Sequence, residues 1–201
     1  MTWTGAIGWG GNKIIRLIVR GLALSKIHPN VLTLIGLLIN VYAAVLLASG
    51  MFRWASLVII GAGIFDMVDG RVARRNNQVT VFGSFFDSVI DRYSDVVLFF
   101  GLLVYYGRIN RFRYVVLAAF VMVTSLMVSY TRARAEALIG QCKVGFLERP
   151  ERIVLILIGA LFNHWGAMAP VLWILAVLST ITFVHRITYT YSKTKHLAPI
   201  T

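Results

Sequence analysis

The chain has 201 residues, 58% of them hydrophobic, and a mean hydropathy of +0.77; soluble domains run at roughly 45–50% apolar, so one soluble core is excluded and an integral membrane protein is indicated. The formal charge of +12 is dispersed between apolar runs rather than gathered into a basic stripe, which argues against nucleic acid and for anionic lipids and phosphorylated substrates. A lone cysteine, Cys142, excludes an internal disulfide and a cysteine metal site.

In chain order, the first residues lack the short apolar core and small-residue cleavage site of a secretory signal, so this segment is expected to be retained. Residues 11–26 set Ile14, Leu17, Ile18, Gly21 and Leu22 on one side and Lys13, Arg16 and Arg20 around the other, the pattern of an amphipathic helix lying in the membrane interface. Apolar runs of nearly spanning length then predict six helices at about 31–49, 53–73, 81–106, 113–138, 150–163 and 167–190. No linker, repeat or low-complexity tract divides them. The expected fold class is all-α: a single membrane domain over residues 1–201, with six transmembrane helices preceded by the interfacial helix. With both termini on the cytoplasmic side, most basic residues fall on that side and only Arg53, Arg108, Arg111 and Arg113 on the other, which favours that orientation in a plasma membrane.

The informative interruption of the apolar pattern is four aspartates, Asp66, Asp69, Asp87 and Asp91. A carboxylate at bilayer depth costs a few kcal/mol unless compensated, so such a cluster is by default functional. Asp66 and Asp69 are three apart near the end of the second predicted helix, and Asp87 and Asp91 are four apart near the start of the third, so each pair shares a helical face. The short connection through Arg74, Arg75, Asn76 and Asn77 makes the two helices antiparallel neighbours and lets the pairs converge. Such an oxygen-rich pocket suits Mg²⁺ or Mn²⁺, and two such ions flanking a phosphoryl group point to phosphoryl chemistry. Gly70, Ala73 and Gly83 remove side-chain bulk beside the cluster, and Arg74 is placed to clamp a phosphate. The competing readings are solvated loop carboxylates, structural salt bridges to Arg92 or Arg74, and the ion relay of a cation-coupled transporter. His28, His164, His185 and His196 are scattered and show no ligand spacing.

The ordered run Asp66-x-x-Asp69-Gly70-x-x-Ala73-Arg74, eight residues, Gly83-x-x-x-Asp87-x-x-x-Asp91 resembles the complete motif of the CDP-alcohol phosphotransferase family. The resemblance implies a six-span enzyme, usually a homodimer, that transfers the phosphatidyl group of a CDP-linked lipid such as CDP-diacylglycerol to a second alcohol and releases CMP. It further implies that Asp66, Asp69, Asp87 and Asp91 hold two divalent ions, that Asp91 is also the general base, and that Gly70, Arg74 and Thr80 contact the CDP moiety. Asn30, Val31, Leu32 and Thr33 resemble the family's nucleotide-contacting start of the first span.

Within the family, SYTRARAEA at 129–137 and GFLERPERIVLIL at 145–157 are most similar to the phosphatidylinositol phosphate synthase branch. This implies a basic pocket of Ser129, Arg132, Arg134, Arg152 and Arg186 for the phosphate of inositol 1-phosphate. Several guanidinium forks suit a phosphate better than a neutral polyol. One departure is Arg132, where actinobacterial members commonly carry lysine, and glycerol 3-phosphate, the acceptor of a phosphatidylglycerophosphate synthase, is the runner-up. Lys143 and Arg149 are expected to be membrane anchors or counter-ions to nearby glutamates.

Overall fold

The computed structural model describes residues 29–75 and 80–195, with the side chains of residues 29 and 67–75 outside that description. The interfacial helix expected at 11–26 lies outside the described residues. Those that are described form six α-helices and no strand: α1 Pro29–Ala48, α2 Phe52–Arg75, α3 Val81–Arg108, α4 Phe112–Ile139, α5 Arg149–Leu161 and α6 Met168–Thr194, with one 3₁₀ turn at Asn163–Trp165.

Local chemistry fixes the helix starts. Thr80 has extended backbone angles and its hydroxyl accepts the Gly83 N–H at 2.9 Å, capping α3. Ahead of α5, the Glu148 N–H donates to the Glu151 carboxylate at 3.0 Å and Pro150 occupies the first turn, where its missing N–H costs nothing. At the opposite end of the bundle the turns between helices are tight, and Gly50 at φ +79° makes the reversal from α1 to α2. Arg108, the last residue of α3 at that end, donates to the Ala48 carbonyl at 3.2 Å, so one of the three arginines expected there satisfies the free end of α1.

The helices close a ring, each packed chiefly on two others, in the order α1, α2, α5, α6, α4, α3 and back to α1. Inside it Leu47, Ala55, Leu98, Leu102, Ala118, Val121, Ile156, Leu172 and Leu175 form one buried core. Large apolar side chains cover the outside, among them Leu38, Trp54, Leu57, Phe100, Val123 and Trp173, a surface matched to lipid rather than water. Among the described residues, three helices are long and apolar enough to cross a membrane: Asn30–Ala48, Phe112–Ile139 and Met168–Thr194. The other three differ for identifiable reasons. Helices α2 and α3 carry the charged motif, and α5 has 13 residues, about 20 Å at 1.5 Å per residue against a hydrocarbon thickness of about 30 Å.

Helices α1 and α3 cross closely: a Cβ on Gly101 would lie 2.5 Å from the Ala44 carbonyl oxygen and 2.9 Å from its Cα. Small residues at such crossings let backbones approach closely. Gly101→Ala is therefore expected to cost about 1–3 kcal/mol as an overpacked site, read as a lowered thermal midpoint in detergent. Gly61→Ala, where nothing lies within 4 Å of the added Cβ, should show no such loss.

Candidate active site

Antiparallel connection brings the start of α1, the end of α2, the start of α3, the end of α4, the start of α5 and the end of α6 to one end of the ring. There Asp66 from α2 and Asp87 and Asp91 from α3 converge, with one carboxylate oxygen of each within 4.8 Å of the others. A hard divalent cation takes such an all-oxygen donor set. Asp69, Gly70, Ala73 and Arg74 continue α2, but their side chains lie outside the description.

Arg149, at the first position of α5, is part of this cluster. Its Nη1 lies 2.9 Å from Asp91 Oδ2 and 3.1 Å from Asp66 Oδ2, and its Nε lies 3.5 Å from Asp95 Oδ1. The expectation of an anchor or a counter-ion to nearby glutamates is thus corrected: its partners are the aspartates of α2 and α3. The capped start of α5, with Pro150 in its first turn, aims the side chain back across the ring.

Beside the cluster is a polar cavity of about 300 Å³ whose lining includes five arginines, Arg92, Arg132, Arg149, Arg152 and Arg186, against three carboxylates, Asp91, Glu136 and Glu148. Ser129, Arg132, Arg152 and Arg186 all line it. Arg132 donates to Glu136 at 3.0 Å and to Glu148 at 2.8 Å. Arg186 is held by the Val144 and Val128 carbonyls at 2.9 and 2.6 Å and reaches Glu148 at 3.4 Å. Arg152 is buried and donates to the Ser125 carbonyl at 3.0 Å, to Ser129 Oγ at 3.4 Å and to the Glu148 carbonyl at 3.3 Å.

Arg134 is not among the lining residues; it is exposed on another face of α4. Two residues along a helix is a turn of about 200°, so Arg132 and Arg134 cannot face one cavity. Arg186 from α6 lines the cavity beside Arg132 and Arg152. The loop before α5 closes over it: the Phe146 and Leu147 N–H groups donate to Thr182 Oγ1 at 3.2 and 3.1 Å. Gly145 permits this at φ +123°, where a Cβ would strike Thr182 and crowd the Arg186 guanidinium.

On the other side of Asp91 a larger, mostly apolar cavity of about 520 Å³ runs between α1, α2, α3 and α5, lined by Leu37, Ile59, Ile60, Ile64, Ile90, Ile153, Val154 and Leu157 with Thr33, Asn40 and Ser94 among them. Asp91, Arg149 and Pro150 line both cavities. Of the predicted nucleotide contacts, Thr33 lines the apolar cavity, and Asn30 approaches Gly83, whose added Cβ would lie 3.4 Å from Asn30 Oδ1 and 2.9 Å from Thr80 Oγ1. Val31 is exposed, whereas Leu32 is buried in the protein interior.

Two participants escaped the sequence reading. One is Arg149. The other is Asp95, 4% exposed, 3.2 Å from Arg152 Nη1 and 3.5 Å from Arg149 Nε. Its signal was present, since 87, 91 and 95 repeat every four residues on one face of α3.

The model of the CDP-alcohol phosphatidyltransferase family matches residues 26–184. The archaetidylinositol phosphate synthase of Methanothermobacter thermautotrophicus is 36% identical over 168 residues, 82% of this chain and 83% of that protein. The crystal structure of Mycobacterium tuberculosis phosphatidylinositol phosphate synthase with CDP-DAG bound superposes with a TM-score of 0.86 at 34% identity, covering 94% of this chain and 99% of that one. The same enzyme in complex with manganese and citrate gives a TM-score of 0.86 over 93% of each chain.

Proposed function

We propose, since this chain belongs to the CDP-alcohol phosphatidyltransferase family, that it transfers the phosphatidyl-type group of a CDP-linked lipid to inositol 1-phosphate, giving a phosphatidylinositol phosphate and CMP. The observation that carries this reading is the meeting of two unlike cavities at Asp91 and Arg149: an arginine-lined one on one side and an apolar one on the other. A reaction that joins a small anionic alcohol to a lipid needs that juxtaposition.

The roles follow from the chemistry of each group. Asp66, Asp69, Asp87 and Asp91 would hold two divalent ions, and a relative's complex with manganese supports the choice of ion. When bound, such ions neutralise the pyrophosphate and stabilise the departing CMP. Asp91 accepts the proton of the acceptor hydroxyl as its oxygen attacks the phosphorus bearing the lipid; that P–O bond forms while the bond to CMP breaks. Arg149 keeps a fixed positive charge at Asp66 and Asp91, where negative charge accumulates. Ser129, Arg132, Arg152 and Arg186 hold the acceptor phosphate. Asn30, Thr33, Gly70, Ala73, Arg74, Thr80 and Gly83 form the CDP side, and the apolar cavity takes part of the lipid chain.

The membrane arrangement is part of the proposal. All six helices are spans of one domain, with α2, α3 and α5 completed by their packing in the ring. Both termini and the active site face the cytoplasm of a plasma membrane, in line with the excess of Lys and Arg at that end, and the protein works as a homodimer in the bilayer.

The test is release of CMP by purified protein given CDP-diacylglycerol or an ether-linked CDP-lipid, Mn²⁺ or Mg²⁺, and inositol 1-phosphate, glycerol 3-phosphate, inositol or serine in turn. Fastest turnover with inositol 1-phosphate is expected; preference for glycerol 3-phosphate reassigns the acceptor. Metal removal supplies an independent prediction: EDTA should reduce CMP release to background, and excess Mn²⁺ or Mg²⁺ should restore it. Release that persists in EDTA would remove the aspartates as metal ligands.

A further inference from the structure

We propose that Asp95 is a positioning residue that fixes the acceptor site relative to the reacting carboxylates; the inference rests on the functional reading above and assigns a role to a side chain outside the aspartate motif. Asp95 is 4% exposed and Arg152 2%, so this is a buried ion pair, and burying a carboxylate is costly unless geometry and hydrogen bonds compensate. Its two oxygens serve two arginines with different tasks. Oδ2 lies 3.2 Å from Nη1 of Arg152, which lines the acceptor cavity. Oδ1 lies 3.5 Å from Nε of Arg149, whose other end reaches Asp66 and Asp91. Among the described residues, Asp95 Oδ1 and Arg149 Nε are buried atoms without a hydrogen-bond partner, and they face each other.

Both arginines leave the first turns of α5, three residues apart, and diverge: one toward the acceptor phosphate, one toward the base. A single carboxylate from α3 takes a contact from each, so α5 cannot shift against α3 without disturbing both. An in-line displacement between two bound substrates depends on such registry, because a misplacement of about 1 Å costs on the order of 10²-fold in rate. Packing alone does not require it, since apolar residues of similar volume replace buried ion pairs without loss in other proteins.

The experiment uses the full-length protein and whichever phosphorylated alcohol the wild type turns over fastest, so that reassignment of the acceptor leaves the test in place. Asp95→Asn keeps the shape but turns an amide N–H₂ toward one guanidinium. It should raise the acceptor KM or lower kcat by about 10- to 100-fold, the usual scale for a supporting shell, while the KM for the CDP-lipid stays near the wild-type value. Asp95→Glu retains the buried charge but displaces both arginines by a methylene, and should change the same parameters in the same direction, so the proposal stays testable if the Asn variant does not fold. In a cycle with Arg152→Ala, the double variant Asp95→Asn/Arg152→Ala should show little beyond the acceptor KM of Arg152→Ala alone, because Asp95 acts through Arg152. A uniform change in both KM values and the thermal midpoint, or additive effects in the cycle, would overturn the positioning role. Wild-type kinetics in a folded Asp95 variant would sink this inference alone; a wild type without CMP release sinks the functional reading beneath it.

Discussion

Asp91→Asn is expected to lower CMP release by about 10²–10⁴-fold, the usual contribution of a general base, with folded protein recovered in normal yield. The position is singled out by geometry. Asp91 belongs to the carboxylate cluster, pairs with Arg149 at 2.9 Å, and lines both the arginine cavity and the apolar one. In the proposed reaction an acceptor hydroxyl bound in the first cavity and a phosphorus delivered from the second would meet beside it. Asparagine keeps the size of the side chain but carries an N–H₂ where the proton must go and offers a cation a weaker ligand. Folding should tolerate the change, because removing one of three converging carboxylates relieves repulsion while Arg149 keeps Asp66 as a partner. The check is CMP release beside size-exclusion and thermal profiles of the two proteins. Normal turnover by Asp91→Asn would remove Asp91 as the base.

Most of this arrangement was legible in the sequence because the membrane simplifies the code. Apolar runs placed all six described helices to within a few residues, the short fifth one included: Glu148 and Pro150 start the 13-residue α5, and the turn at Asn163–Trp165 follows its end. The convergence of Asp66 with Asp87 and Asp91 followed from spacings of three and four in antiparallel neighbours. What spacing could not supply was orientation across the ring. Arg132 and Arg134 looked equivalent as basic residues, yet of the two only Arg132 faces the cavity, beside Arg152 from α5 and Arg186 from α6. Arg149 looked like one more anchor at a helix end until α5 was seen to pack on α2, which turns its first residue toward the aspartates. Asp95 was hidden differently: it lies on the motif's own helical face, but beyond the motif's last residue, where the pattern gives no reason to keep counting.

Arg152→Ala is expected to raise the acceptor KM by about 10- to 100-fold while leaving the KM for the CDP-lipid nearly unchanged. A hydrogen bond to a charged group contributes about 1.5–3 kcal/mol, and each 1.4 kcal/mol is tenfold in affinity. Arg152 should deliver that range in full, because its guanidinium is buried, fixed by Ser125, Ser129 and the Glu148 carbonyl, and shielded from water. Arg132 lines the same cavity but is more exposed and already paired with Glu136 and Glu148, so Arg132→Ala should give the smaller effect, as partly solvated ion pairs do. Truncation of Arg152 also removes an ion-pair partner from Asp95, a change of the kind that destabilises by about 3–5 kcal/mol, so the kinetics need a companion variant. Arg152→Lys keeps the charge beside Asp95 but loses the planar fork that addresses phosphate and Ser129 together. It should fold better than Arg152→Ala and still show the raised acceptor KM. Steady-state kinetics with each substrate varied in turn decide the matter: equal changes in both KM values would show that Arg152 holds the fold and not the acceptor.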